Sequence, residues 1–193
     1  MKNNKGFSLI EILAVVVILG IVMLIAVPAV SNYIISSRKS SYVSTVSSYM
    51  QTIRGEYEMK YYGSFLYDDE IMIVPIDLVE LEQGASDSTP FGEYIYEKSY
   101  VVIVPERNTY QFYANIMDTA GYGVMMMPSN SVTRDALQKY ENPDVIKNWS
   151  AYGNIYEEFL YNGKSYSFCE ERKSENAKEG STSKILVLSE GGC

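Results

Sequence analysis

The stretch GFSLIEILAVVVILGIVMLIAVPAV, Gly6 to Val30, decides how the rest of the chain is organised. It is apolar except for Ser8 and one carboxylate, Glu11, near its start. A helix from Phe7 to Val30 rises roughly 36 Å at about 1.5 Å per residue, and the hydrocarbon core of a bilayer is about 30 Å thick. The sequence therefore predicts a membrane-spanning helix. A charged side chain is costly inside a bilayer, so Glu11 needs a specific partner or function.

A short basic segment, MKNNKG, precedes the apolar run. Because Lys2 and Lys5 have no acid beside them, the positive-inside rule keeps Met1 in the cytoplasm and sends the rest of the chain outward. The alternative is an ordinary secretory signal that is cut after Ala29. The apolar run is longer than such signals use, and Glu11 interrupts it, so both features count against this alternative.

Composition excludes several classes of function. The 193 residues are 47% apolar and 21% charged, which is typical of a globular chain. The formal charge is −8, or −10 without Lys2 and Lys5, and it repels nucleic-acid phosphates, so no specific nucleic acid is predicted. The chain has no His, which removes the commonest general base and the commonest transition-metal ligand. We expect a protein that is not an enzyme and has no cofactor.

The hexapeptide GFSLIE, Gly6 to Glu11, follows a short basic leader and resembles the class III signal of type IV pilins and pseudopilins. The resemblance implies that a prepilin peptidase cuts between Gly6 and Phe7 and methylates the new amine of Phe7. It also implies assembly through a bundle of N-terminal helices, in which Glu11 neutralises the amine of a neighbouring subunit. The alternative for Glu11 in the monomer is a side chain that reaches toward lipid headgroups.

Two residues weaken the predicted helix. Gly20 costs about 1 kcal/mol relative to Ala, and Pro28 costs about 3 kcal/mol in a helix interior. The resemblance implies that this segment kinks or loses helicity in an assembled filament, which would make the fibre extensible. A simple kink at the membrane surface is the alternative for Pro28.

After Pro28 the helical pattern becomes amphipathic. An apolar stripe recurs at spacings of three and four, with polar residues between its members, which are Val43, Val46, Met50, Ile53 and Tyr57. We expect this half of the helix to pack on a domain and to end near Gly63. The predicted divisions are a leader at 1–6, a transmembrane and assembly helix at 7–30, its amphipathic second half at 31–62, and a globular head at 63–193.

Beyond Gly63 the pattern changes to that of β-strands, so the fold class is α+β: one long helix on an antiparallel sheet. The predicted strands are Ile71–Val74, Gly92–Pro105, Thr109–Met117, Ile155–Tyr161, Lys164–Cys169 and Lys184–Ser189. Asn162-Gly163 predicts a type I′ hairpin, and the connection from Glu106 to Thr109 predicts a second hairpin. Val132–Tyr140 and Asn142–Trp149 read as short helices or loops.

The chain has two cysteines, Cys169 and Cys193. In a domain outside the cytoplasm they permit one disulfide, which would tie the last residue back to the sheet. Two free buried thiols are the alternative. No metal site is predicted: the acidic run Asp68 to Glu70 lacks the spacing of a calcium loop.

These observations point to a structural subunit of a bacterial type IV pilus, with other pilins, the prepilin peptidase and a membrane assembly platform as partners. We expect it in the cytoplasmic membrane as a precursor and on the cell surface in the filament. A pseudopilin of type II secretion or of competence DNA uptake is an alternative within the family. An anchored or secreted binding domain that never polymerises is the alternative from another class.

Overall fold

The structure is a computed structural model that describes Gly6 and residues 8–81, 88–141 and 158–193. Helix α1 spans Leu9–Glu58 and passes without interruption through Gly20 and Pro28. The described chain forms two compact units, Met1–Arg38 and Lys39–Cys193. The predicted long N-terminal helix is confirmed.

Helix α1 was predicted to end near Gly63, and it ends earlier, at Glu58. Lys60, just after the helix, adopts a left-handed backbone with φ of 63°. Two backbone hydrogen bonds around this residue terminate the helix. The amide of Tyr61 donates to the carbonyl of Glu56, and the amide of Lys60 donates to that of Tyr57. This pattern is a Schellman motif, which usually has Gly at the left-handed position. A lysine occupies that position here, so the sequence carried no glycine signal for the end of the helix.

The described residues form one antiparallel sheet of eight strands in the order β5-β4-β3-β2-β1-β8-β7-β6. Their bounds are β1 Glu70–Pro75, β2 Tyr100–Glu106, β3 Thr109–Met117, β4 Tyr122–Pro128, β5 Gln138–Lys139, β6 Glu158–Tyr161, β7 Lys164–Arg172 and β8 Ile185–Glu190. The helix and the antiparallel sheet confirm the predicted α+β class.

The second half of α1 packs on one face of this sheet. The buried helix residues are Tyr42, Val46, Tyr49, Met50, Ile53 and Tyr57. They cluster with alternate residues of the central strands, including Met72 and Val101, while the intervening Ile71 and Val102 belong to a second cluster. Both faces of the central strands are therefore buried. The predicted stripe lacked Tyr42 and Tyr49, and it included Val43, which is only half-buried.

The prediction of a single strand from Gly92 to Pro105 is wrong. Isolated bridges, a 3-10 turn at Tyr96–Lys98 and then β2 occupy this region. The reason is a close contact: a Cβ built on Gly92 would lie 2.6 Å from Thr119 Oγ1 and 3.2 Å from the amide nitrogen of Ala120. The backbone is thus held against a neighbouring turn instead of joining the strand.

Other strand predictions differ in extent. Strand β4 was not predicted because its sequence, YGVMMMP, is rich in Gly and Met and poor in β-branched residues. Val132–Tyr140 forms turns and the short strand β5. The predictions for Asn142–Trp149 and for 155–157 lie outside the described residues. The two predicted hairpins are confirmed, since β2 pairs with β3 and Asn162 and Gly163 both have positive φ, 49° and 75°.

The C-terminus returns to the sheet through a disulfide. The sulfurs of Cys169 and Cys193 are 2.02 Å apart. Cys169 lies at a β-bulge, where the pairing of β7 with β8 shifts between Phe168 and Glu170. Strand β8 is followed by Gly191 and Gly192, both at positive φ, so the chain turns sharply to bring its last residue to the bulge.

Candidate processing and assembly site

The described part of the N-terminal site is a capping box at the start of α1. The amide and the hydroxyl of Ser8 each donate to Glu11 Oε2 at 2.8 Å, and the amide of Glu11 lies 3.4 Å from Ser8 Oγ. Ser8 is the N-cap and Glu11 the third helical residue, so each side chain satisfies the other's backbone amide. The carboxylate therefore stabilises its own helix before any partner arrives.

The sequence reasoning missed this role for Ser8, although a signal was present. Ser followed three residues later by Glu, just before an apolar run, is the sequence signature of a capping box. Phe7, the predicted site of cleavage, methylation and assembly, lies outside the described residues. Gly6 is exposed, and space is open around the position of a Cβ there.

Glu11 retains capacity for a second interaction. The side chain is exposed, and every hydrogen bond of its carboxylate to the described residues is made through Oε2. An ionised carboxylate has about four acceptor positions on its two oxygens. The capping box therefore leaves Oε1 with room for a cation from outside this helix.

The first unit presents a continuous apolar surface. The exposed large apolar residues run from Leu9, at 90% exposure, to Ile35, at 45%. Among the described residues, α1 is the one helix that is long and apolar enough to cross a membrane, by length and composition. Contiguous apolar surface of this extent marks a site for lipid or for other protein.

The structure places both predicted weak points within intact α1. Space is open around Gly20, so a side chain there would meet nothing within 4 Å. Pro28 has no amide hydrogen, so the carbonyl four residues earlier loses its usual donor. Ser31 Oγ also donates to the carbonyl of Val27 at 2.9 Å, and such bonds favour helix bending. The structure thus adds Ser31 to the residues that weaken this stretch, and the role in flexibility stays a prediction.

A buried carboxylate, Asp118, organises the end of the sheet. Thr89 Oγ1 donates to its Oδ2 at 2.6 Å, and the amide of Tyr122 donates to its Oδ1 at 2.9 Å. The hydroxyl oxygen of Thr89 in turn accepts from the amides of Phe91 and Gly92. Burial raises the pKa of Asp118, and the hydrogen bonds that its carboxylate accepts from Thr89 and from the amide of Tyr122 oppose the rise. Asp118 therefore joins two turns, a structural function that the sequence analysis did not assign.

Within the described ranges, no three or more Asp, Glu, Cys or His side chains form a group that could hold a metal ion. In the acidic run, Glu70 accepts a hydrogen bond from the amide of Tyr67, and Asp69 accepts one from the hydroxyl of Ser189. These carboxylates stabilise the turn that precedes β1 through hydrogen bonds.

Comparison with known proteins gives one finding on the N-terminus and one on the fold. Residues 1–27 match the family model described as the prokaryotic N-terminal methylation motif. The comparison with solved structures found no match. The matched residues include Gly6, Phe7, Ser8 and Glu11, so the motif covers the whole capping box and the beginning of the apolar helix. The chain thus carries the prokaryotic N-terminal methylation motif, which is the class III prepilin signal of type IV pilins.

Proposed function

We propose that this protein is a structural subunit of a bacterial type IV pilus or of a related pilus-like filament. The observation that carries the proposal is the methylation motif at residues 1–27 on a helix whose apolar side chains are exposed as far as Ile35. One segment therefore combines a signal for processing with a helix that suits both a membrane and a bundle of protein helices. The head, which belongs to the separate compact unit Lys39–Cys193, then forms the outer surface of the fibre.

Cleavage between Gly6 and Phe7 changes the charges at the cytoplasmic end of the helix. It removes Lys2 and Lys5 and creates a positive amine on Phe7, which the prepilin peptidase methylates. Moving a lysine through a bilayer costs roughly 2.5 to 3.5 kcal/mol on insertion scales, so the uncut leader opposes outward movement of the helix. Processing therefore removes an electrostatic barrier to extraction from the membrane.

Assembly brings Glu11 of one subunit to the Phe7 amine of another. A buried pair of opposite charges recovers much of its desolvation cost, whereas loss of one partner costs about 3 to 5 kcal/mol. Because Oε2 of Glu11 is used by Ser8, the neighbour's amine is received by Oε1. The ion pair favours the one register between neighbouring helices in which every Glu11 carboxylate meets a Phe7 amine. The pair forms at the assembly platform of the cytoplasmic membrane.

We propose no catalytic role for the head. The chain has no His, and the buried carboxylate Asp118 is occupied by a hydroxyl and backbone amides. The exposed surface of the head is then available for contacts with other pilin subunits or with the surroundings of the cell.

Mass spectrometry of the mature N-terminus tests the proposal. Protein from membranes and from sheared surface material should begin at methylated Phe7, and the sheared material should contain it in long fibres. A chain that begins at Val30 or at Met1 would refute processing by a prepilin peptidase. A chain that begins at Phe7 but never enters fibres would be a membrane-anchored domain that does not polymerise. Deletion strains assayed for surface pili, protein secretion and DNA uptake would separate a pilin from the two kinds of pseudopilin.

A further inference from the structure

Positive charge follows the apolar stretch of α1. Arg38 and Lys39 are adjacent, and the helix has no Asp or Glu between Glu11 and Glu56. This contrasts with the whole chain, whose formal charge is −8. Lys39 Nζ donates to the carbonyl of Leu137 at 3.4 Å within the second unit. Arg38 is exposed, and no described residue hydrogen-bonds or pairs with it.

The distance from Glu11 to Arg38 matches the thickness of a bilayer. Twenty-seven residue steps separate the two positions in the continuous helix Leu9–Glu58, which corresponds to roughly 40 Å at about 1.5 Å per residue. A bilayer with its headgroups is about 40 to 45 Å thick. With Glu11 at the cytoplasmic headgroups, Arg38 therefore reaches the headgroups of the opposite leaflet.

Tyr33 supports the same placement. Its side chain is 75% exposed, and it lies roughly 33 Å along the helix from Glu11, close to the edge of the hydrocarbon. Tyrosine is enriched at this depth because its ring is apolar and its hydroxyl is polar. Side chains on a helix lean toward the helix N-terminus, a direction that from Arg38 leads toward the membrane.

We propose that Arg38 binds the phosphate of an anionic phospholipid in the outer leaflet of the cytoplasmic membrane, with Tyr33 at the interface below it. The planar guanidinium matches phosphate oxygens in a bidentate geometry, and the net negative charge of an anionic lipid favours it over a zwitterionic lipid with the same phosphate. This inference rests on the proposed function, since it requires that the processed subunit waits in the membrane before assembly. The contact sets the depth of the waiting subunit, and it must break when the helix leaves the bilayer.

Fluorescence quenching in vesicles tests the proposal on the full processed chain. A Ser37→Cys variant carries a fluorophore beside Arg38, under oxidising conditions that keep Cys169 and Cys193 joined. Vesicles of neutral lipid receive either phosphatidylglycerol or phosphatidylcholine with the same nitroxide quencher. From the usual contribution of one basic residue near an anionic surface, phosphatidylglycerol should be enriched about five-fold at the fluorophore.

In this background, Arg38→Gln should bring the two lipids to nearly equal quenching. Arg54→Gln is the matched control, because Arg54 lies on the same helix roughly 24 Å farther along and is paired with Glu58. It should keep the enrichment. Salt at about 1 M should reduce it.

Equal quenching by both lipids in the parent protein would overturn the proposal, and so would an enrichment that survives Arg38→Gln. Flotation of the vesicles and washing at alkaline pH are run on every sample. A protein that neither floats with the vesicles nor resists washing would refute membrane insertion, and with it the proposed function. A protein that is inserted but shows no enrichment would refute only the lipid contact.

Discussion

Replacing Glu11 by Gln and Ser8 by Ala separates the two roles of the carboxylate at the start of α1. Glu11→Gln keeps an acceptor for the Ser8 amide, because Gln also serves in a capping box, but it removes the negative charge. Ser8→Ala removes the hydroxyl that bonds Oε2 at 2.8 Å and leaves the charge in place. Glu11→Ala removes both functions and serves as the reference.

The expected costs differ enough to decide between the roles. Loss of an N-cap hydroxyl costs about 1 kcal/mol, which is about a five-fold change in an equilibrium. An amine left buried without its carboxylate costs about 3 to 5 kcal/mol, or at least a hundred-fold. We therefore expect Ser8→Ala to form somewhat fewer filaments, and Glu11→Gln to assemble as poorly as Glu11→Ala.

The assay compares protein in sheared fibres with protein retained in membranes for each variant. Mass spectrometry of the same samples checks that every chain begins at Phe7, so that a defect in cleavage is not read as a defect in assembly. Wild-type fibre yield from Glu11→Gln, together with a loss in Ser8→Ala as large as in Glu11→Ala, would refute the reasoning. The carboxylate would then serve only to cap its own helix.

Three further predictions concern the compact unit Lys39–Cys193, measured by urea unfolding. Gly92→Ala should lower the free energy of unfolding by about 1 to 3 kcal/mol, because its Cβ would lie 2.6 Å from Thr119 Oγ1. Gly55→Ala is the control: its Cβ would meet nothing within 4 Å in the helix, so it should raise the free energy of unfolding by up to about 1 kcal/mol. Equal effects of the two substitutions would contradict the contact at Gly92. Cys193→Ser should cost about 3 to 4 kcal/mol by opening a loop of sequence separation 24, and unchanged stability would contradict a formed disulfide. Burial raises the pKa of Asp118, so the folded state binds the proton of this carboxyl more tightly than the unfolded state does. The wild type should therefore gain stability relative to Asp118→Asn as the pH falls from 7 through that raised pKa toward 4. A stability difference that is constant with pH would contradict this.

The long apolar helix and the prepilin signal at the N-terminus were predicted from the sequence alone. Long apolar runs and a signal such as GFSLIE depend on residues that are neighbours in the chain, so they can be read before the fold is known. The capping box of Ser8 and Glu11 was also readable, because it joins residues three apart. The central strands β1 and β8 were found for the same reason, since their apolar residues are consecutive, and so was the part of the predicted Gly92–Pro105 strand that forms β2.

The misses involve partners that are distant in the sequence. The Gly92 turn is held by Thr119 and Asp118, and no local pattern indicates that these residues meet. The end of α1 is an exception, because the bonds that close it join residues 56 to 61. It was missed because the left-handed position is held by Lys60, a conformation that residues other than glycine rarely adopt.

The sequence by itself determined the long apolar N-terminal helix, the prepilin signal and the class of the fold, because hydrophobic length, charge and periodicity are local properties. Only the tertiary structure decided the order of the eight strands, the position of Cys169 on a bulge beside the C-terminus and the burial of Asp118 between two turns. These features arise when the sheet packs against the second half of α1 and brings distant side chains within bonding distance, and burial then determines which of them must be paired.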